Sequence, residues 1–146
     1  MSGTGVVARI AMAAVVALAA AAAPLFAKDQ KPADAQSDWT IPANAALEMN
    51  PLPASPEVIA QGRKIFESRC QRCHGRDGRG HGPEADPDHP AGNLTDRVRA
   101  AFNPDGVMFY KIWNGRQSPK MPAFRKEDLS KEEVWSVIQF VKTFRK

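Results

Sequence analysis

The stretch CQRCH, from Cys70 to His74, contains both cysteines of the chain and places a histidine directly after the second one. This spacing is typical of covalent haem attachment, in which two thiols add to the two vinyl groups of a haem and the adjacent imidazole binds the iron. The motif therefore predicts a haem attached through Cys70 and Cys73, with His74 as one axial ligand of its iron.

Three other kinds of site also use a Cys-x-x-Cys pair, and the sequence gives each of them less support. A zinc site needs about four ligands, and beyond the motif the chain has no further cysteine and only His81 and His89 as spare histidines. A thioredoxin-type redox site follows a strand in a βαβ pattern, and no alternation of strands and helices is visible. A structural disulfide between cysteines this close is strained and gives His74 no role.

Residues 1–27 have the layout of a secretory signal peptide. Arg9 precedes an uncharged, alanine-rich run from Ile10 to Ala27, and the charged KDQK follows. Such a segment directs export, with cleavage expected after Ala27. Because the run is 18 residues long, near the lower limit of about 17 to 25 for a spanning helix, an uncleaved N-terminal anchor is the alternative. Haem attachment takes place outside the cytoplasm, so we expect a periplasmic protein, either soluble or N-terminally membrane-anchored.

The remaining chain divides into an extension, residues 28–54, and a haem domain, residues 55–146. The extension is rich in proline, alanine and polar residues and shows no sustained periodicity, which indicates a linker or a segment that wraps the surface of the domain. Its few large apolar side chains are candidates to dock on the domain: Trp39, Ile41, Leu47 and Met49. The formal net charge is +4, and no dense basic stripe with interleaved aromatic residues occurs, which argues against a nucleic-acid partner.

Two capped helices are expected to begin and end the haem domain. Ser55 followed by Pro56 predicts the start of the first helix. Ser130 and Glu133 form the pattern of a capping box for the last one. Gly62, inside the first helix, costs about 1 kcal/mol relative to alanine, which we interpret as the mark of a close crossing with the last helix. The last helix has one apolar face, formed by Val134, Val137, Ile138 and Val141.

Residues 75–93, between the motif and the following helices, are nearly all turn formers. They predict a loop without regular structure that wraps the haem. One of its backbone carbonyls, from Pro83 or Pro90, is expected to orient the imidazole of His74. Two short helices are predicted after the loop, one from Thr95 to Ala101 and one from Asn103 to Trp113.

The chain resembles the class I c-type cytochromes, and among them the small single-haem bacterial cytochromes related to the c-type subunits of haem–copper oxidases. The resemblance rests on CQRCHGRDGRGHG at 70–82, NGRQSPKMPAF at 114–124 and LSKEEVWSVIQFVKTF at 129–144. It implies an all-α cytochrome c fold, in which the N- and C-terminal helices cross around one covalently bound haem c and long loops wrap it. In that family the crossing lies near a glycine and aromatic residues, and the matching positions are Gly62, Phe66, Val137 and Phe140.

Met121 is the best candidate for the second axial ligand of the haem iron. It lies in SPKMPAF, at 118–124, where two prolines stiffen the backbone around a flexible thioether. Met108 falls inside an expected helix and is interpreted as a packing residue. The alternatives to Met121 are a histidine of the loop, His81 or His89, or an open sixth position.

Ligation by His74 and Met121 favours a carrier of single electrons over an enzyme, because it raises the reduction potential and fills both axial positions. No Ser/His/Asp grouping, paired-carboxylate motif or phosphate loop offers competing chemistry. We therefore expect outer-sphere electron transfer between transient respiratory or dehydrogenase partners, by a monomer or by the cytochrome subunit of a redox complex. The alternative is a haem enzyme or ligand sensor, peroxidase-like or gas-binding, in which Met121 leaves the iron easily and a His or Arg of the loop acts.

The polar groups around the haem are the least specified part of the predicted site. Candidates for hydrogen bonds to the haem propionates are Tyr110, Trp113, Asn114 and Arg116. Candidates to surround the exposed haem edge and steer acidic partners are Arg72, Arg76, Arg116 and Lys120. For each of these side chains, an ordinary role in the core or on the surface is the alternative.

Overall fold

The computed structural model describes residues 39–126 and 129–145. The predicted signal peptide, residues 1–27, and the first part of the extension lie outside the described residues, so the predicted division at these positions stays a prediction. The described chain contains five α-helices: α1 (Pro56–Ile65), α2 (Gln71–His74), α3 (Arg97–Ala101), α4 (Asp105–Asn114) and α5 (Lys131–Lys142). A π-helical turn, Phe66–Cys70, joins α1 to α2.

Short 3-10 turns complete the regular structure of the described residues, at Ala45–Leu47, Phe124–Lys126 and Thr143–Arg145. In these same ranges there is no β-strand, only an isolated antiparallel bridge between Arg116 and Met121. The expected all-α class is therefore confirmed for this part of the chain. None of the helices described is long and apolar enough to cross a membrane.

Helices α1 and α5 begin where their capping residues predict. The Ser55 hydroxyl accepts a hydrogen bond from the N–H of Val58 at 3.3 Å, and Pro56 follows at the first helical position of α1. At the start of α5, the N–H of Glu133 donates to the Ser130 hydroxyl at 3.2 Å, and the N–H of Ser130 donates to the Glu133 carboxylate at 2.8 Å. Both N-caps and the capping box are confirmed.

The predicted start of α3 is wrong by one residue. Asp96, not Thr95, caps this helix, because its carboxylate accepts from the N–H groups of Val98 and Arg99 at 2.8 and 3.1 Å. The Thr95 hydroxyl instead donates to the side-chain oxygen of Asn93 at 2.8 Å. Threonine and aspartate are both good N-cap residues. Aspartate is the cap here because the Thr95 hydroxyl is already bonded to Asn93.

Helices α1 and α5 cross at Gly62, as the sequence predicts. Gly62 is buried, and a Cβ atom there would collide with the backbone carbonyl of Ser136 in α5. Next to the crossing, Phe66 is 1% exposed and its ring centroid lies 5.3 Å from that of Phe140. This contact forms the centre of the hydrophobic core, which extends through α5 to Met108 and Phe109 of α4.

The buried surface of α5 is wider than the single apolar face predicted for it. Every residue from 134 to 141 is buried, because α5 is covered from several sides. Besides α1, helix α4 packs on it, with the rings of Phe109 and Trp135 stacked at 4.2 Å. A helix enclosed in this way buries Ser136 and Gln139 together with its apolar residues.

The described part of the extension covers a further side of α5, through residues that were not among the docking candidates. The Asn50 amide donates to the carbonyl of Trp135 at 2.9 Å, and the Gln139 amide donates to the carbonyl of Leu52 at 2.6 Å. By contrast, Leu47 and Met49 are 81% and 83% exposed, so the expectation that they dock is wrong. The expectation is confirmed for Trp39, whose ring centroid lies 5.0 Å from Cζ of Arg116, and Leu52 packs against the hydrophobic core.

Candidate functional site

A cavity of about 530 Å³ lies between α5, α4, the loop after α2 and the segment that contains Met121. Three of the four residues predicted to hold a cofactor line it, namely Cys70, His74 and Met121. Its apolar wall is formed by Phe66, Met108, Ile112, Val137, Ile138 and Val141. Residues that are far apart in the sequence thus surround one largely apolar space of the size that proteins use for small organic ligands.

Cys70 ends the π-helical turn and Cys73 lies in α2, and both are free thiols. Cys70 packs against the hydrophobic core, and this burial raises the pKa of its thiol to about 12, with a smaller contribution from Cys73. The Cys73 thiol donates to the backbone carbonyl of Glu84 at 3.7 Å. Cys70 is therefore a neutral thiol near pH 7.

His74 ends α2, and its ring is held by the loop that follows. The Nδ1 atom lies 3.2 Å from the backbone carbonyl of Gly92, so the predicted carbonyls of Pro83 and Pro90 are the wrong ones. A proton on Nδ1 donates to this carbonyl and leaves Nε2 with the free lone pair that a metal needs. Burial lowers the pKa of His74, and the bond to Gly92 opposes this only in part, which favours the neutral imidazole.

The loop of residues 75–93 has no regular element, as predicted, yet it is closely tied to α2. Its N–H groups donate to the last carbonyls of the helix: Gly80 to His74 at 2.8 Å, Gly82 to Cys73 at 3.0 Å and Glu84 to Arg72 at 2.7 Å. The last carbonyls of a helix have no hydrogen-bond donor within that helix, so the N–H groups of the loop take this role. The loop therefore fixes the orientation of the motif from outside.

Met121 lies outside any helix, but its backbone is fixed by a pair of hydrogen bonds. Its N–H donates to the carbonyl of Arg116, and the N–H of Arg116 donates to the carbonyl of Met121, both at 2.9 Å. Gly115, with φ of 60°, precedes this bridge, and a Cβ atom there would collide with the backbone of Met121 and Ala123. The other methionine of the cavity, Met108, is buried in α4, and its sulfur accepts a hydrogen bond from Arg145 at 3.1 Å.

Cationic side chains line the same cavity, and only Arg116 is among the candidates for the propionates and the haem edge. Arg116 was a candidate both for a hydrogen bond to a propionate and for a place at the haem edge. The cavity lining contains four further cations and one acidic residue: Arg79, Arg99, Lys111, Arg145 and Asp96. Of the other candidates, Asn114 donates to the carbonyl of Tyr110 at 3.0 Å, and Arg72 lies 3.5 Å from Glu84. The missed cations come from separate segments of the chain, so no local pattern marks them.

The lining fits a haem, which is an apolar macrocycle with two anionic propionates. The apolar wall suits the macrocycle, and the cationic side chains suit the propionates. The Nε atom of Arg145 is buried and has no hydrogen-bond partner within the described residues. In the same residues, no three His, Cys, Asp or Glu side chains gather into a group that could hold a bare metal ion.

Comparisons with known proteins agree with the interpretation of the cavity as a haem site. Residues 57–141 match the family model of cytochrome c oxidase, cbb3-type, subunit III. The solved structure of a c-type cytochrome, KustC0563, is 30% identical with a TM-score of 0.50, and the match covers 58% of this chain and 98% of that one. None of the curated proteins matches the chain significantly.

A second similar structure is the Kuenenia stuttgartiensis reducing HAO-like protein complex Kustc0457/Kustc0458. It is 28% identical with a TM-score of 0.51, and the match covers 66% of this chain but only 47% of that one. The helical architecture, the family match and these two structures together confirm the cytochrome c fold. Since the family model spans more than half of the 146 residues, the chain belongs to the family of cytochrome c oxidase, cbb3-type, subunit III, and is a small haem-binding c-type cytochrome.

Proposed function

We propose that this protein carries single electrons by means of one haem c, attached through Cys70 and Cys73 and ligated by His74 and Met121. When bound, the haem supplies reversible one-electron exchange between ferrous and ferric iron. The protein itself orients the two ligands, excludes water from the apolar wall of the cavity and provides cations near the propionates.

The main support is that His74 and Met121, from distant parts of the sequence, line one cavity. The bond of His74 to Gly92 leaves Nε2 for the iron. The backbone bridge to Arg116 holds Met121, whereas the sulfur of Met108 already accepts a hydrogen bond. Two protein ligands leave no open position for a substrate, which favours a carrier over an enzyme.

A second candidate function is a haem enzyme or ligand sensor, and one observation favours it. Arg79 and His81 of the loop after α2 also line the cavity, where they could act on a ligand if Met121 left the iron. This candidate predicts a labile sixth position, so the same experiment decides between the two functions.

The expected setting is the periplasm, with transient protein donors and acceptors. The cationic side chains that line the cavity favour acidic partner surfaces. One of the similar structures belongs to a protein complex, and on that ground the chain is proposed to work either as a free carrier or as a subunit of a larger redox assembly. Export is supported by the segment of residues 1–27.

The test compares Met121→Ala with Met49→Ala in the exported holoprotein. Met49 is 83% exposed, so its replacement controls for the loss of a methionine elsewhere. We expect Met121→Ala to lower the midpoint potential and to allow rapid binding of carbon monoxide, because both depend on the thioether ligand. An unchanged potential would contradict Met121 ligation, and rapid carbon monoxide binding by the unaltered protein would favour the enzyme or sensor.

Covalent attachment has its own test. After denaturation and extraction with acidic acetone, the haem absorbance is expected to stay with the polypeptide. Haem that moves into the acetone would contradict the roles proposed for Cys70 and Cys73.

A further inference from the structure

Trp39, in the extension, contacts two of the cations that line the cavity. Its ring centroid lies 5.0 Å from Cζ of Arg116 and 5.6 Å from Nζ of Lys111. Trp39 itself also lines the cavity. The face of an aromatic ring attracts cations, and tryptophan does so most strongly. The ring therefore attracts both cations.

Arg116 connects this ring to the proposed ligand Met121. The two residues share a pair of backbone hydrogen bonds at 2.9 Å, so a shift of one backbone moves the other. Gly115 restricts the same segment, since the backbone of residues 121–123 lies directly against its Cα. The side chain of Trp39 thus acts on Met121 through a single intermediate residue.

Trp39 is well placed to keep this position, because the extension is anchored elsewhere. Asn50 and Leu52 form hydrogen bonds with the buried helix α5. Lys111 is in turn held by the side-chain oxygen of Asn103, at 2.6 Å from its Nζ. The ring, the two cations and the Met121 segment form one connected set of contacts at the edge of the cavity.

We propose that Trp39 is a positioning residue for the Met121 ligand. By holding Arg116, it keeps the backbone pair of Arg116 and Met121 in place and so determines how firmly the thioether occupies the sixth position of the iron. This inference rests on the proposed function, since it requires Met121 to be a ligand. It assigns the extension a role in tuning the haem, beyond covering the core.

The test uses the full holoprotein with Trp39→Ala and Trp39→Phe, and Leu47→Ala as the control. Leu47 belongs to the same extension and is 81% exposed. Three properties are measured: imidazole affinity of the ferric protein, intensity of the sulfur-to-iron charge-transfer band, and midpoint potential. Imidazole competes with Met121, so its affinity reports how easily the thioether leaves. Haem content and helical circular dichroism check that each variant is folded.

For Trp39→Ala we expect imidazole affinity to rise about two- to tenfold, as the loss of one partly exposed cation–π contact would give, with a weaker band and a lower potential. Trp39→Phe should give intermediate values because a phenyl ring keeps a weaker attractive face. Leu47→Ala should match the unaltered protein. A purely structural role for Trp39 would change the free energy of unfolding without changing any of these three properties.

A double-mutant cycle with Arg116→Gln tests the pathway itself. If Trp39 acts through Arg116, the effects of the two substitutions on imidazole affinity are not additive. The double variant Trp39→Phe with Arg116→Gln should then bind imidazole as tightly as Arg116→Gln alone. Additive effects, or unaltered imidazole affinity in both Trp39 variants, would overturn the inference. Met121→Ala distinguishes failure of this inference from failure of the proposed ligation. If Met121→Ala removes the charge-transfer band and the Trp39 variants do not weaken the band, only the role of Trp39 is contradicted. If Met121→Ala has no effect on the band, the proposed ligation fails.

Discussion

At the scale of single residues, Gly62 is a position that leaves no room for a side chain. An added methyl group would collide with the carbonyl of Ser136, which belongs to the backbone of α5 and cannot rotate away. Overpacking costs about 1–3 kcal/mol, whereas alanine gains only about 1 kcal/mol in helix propensity. The difference leaves a net loss, and we expect Gly62→Ala to lower the free energy of unfolding by up to about 2 kcal/mol in chemical denaturation.

Gly92→Ala is the matched control for this change, because a Cβ atom at Gly92 meets no atom within 4 Å. It keeps the carbonyl that accepts from His74. Equal unfolding free energies for the two variants would contradict the close crossing at Gly62. The crossing could be predicted from sequence, since a glycine inside a helix is costly and so indicates a specific contact.

The hydrogen-bond acceptor of His74 is a feature that could not be predicted from the sequence. The sequence indicates that the imidazole needs an acceptor, but the acceptor is the backbone carbonyl of Gly92. Every residue has a carbonyl, so no side chain distinguishes Gly92 from Pro83 or Pro90. Which one approaches the ring depends on how the loop folds back, through bonds such as Gly80 to His74.

At the scale of elements, the capping box of α5 makes stability depend on pH. Hydrogen bonds from the backbone and side chain of Ser130 lower the pKa of Glu133 below its ordinary value of 4.5. The charged form is therefore favoured by folding. Its contribution is fully present above pH 4.5 and is lost as the pH falls through the lower, folded-state pKa.

Glu133→Gln should remove this acid-dependent contribution while keeping a hydrogen-bonding side chain in the box. Near neutral pH we expect a loss of about 0.3–1 kcal/mol in unfolding free energy, as for a surface charge at a helix N-terminus, and a smaller loss in acid. Thermal unfolding at several pH values measures it. Glu132→Gln, in the same turn of the helix, is the control; an identical pH profile for both variants would contradict the role of the box.

The starts of α1 and α5 were predictable because caps are local, whereas the surroundings of α5 were not. Its pattern indicates one apolar face, but residues 134–141 are all buried. The additional contacts come from distant segments, such as the bonds of Asn50 to Trp135 and Gln139 to Leu52. Since Asn50 and Gln139 are polar, hydrophobic periodicity gives no sign of these contacts.

At the scale of the whole molecule, the core and the cavity share their walls. Phe66, Val137 and Val141 belong to the hydrophobic cluster and also line the cavity. With nothing in the cavity, these core side chains lack packing partners on one side and face the open space. The folded state therefore depends on what fills the space.

Cys70→Ser and Cys73→Ser test this dependence. Each variant removes one proposed covalent link, so we expect less haem to stay with the denatured polypeptide and most of the haem-free chain to lose cooperative thermal unfolding. Ser68→Ala, in the same helical segment, should keep both haem and cooperativity. Circular dichroism melting and the haem absorbance of the denatured protein measure the two properties on the same samples. A compact, cooperatively folded apoprotein would contradict the argument, because it would mean that the helices can close the cavity without the haem.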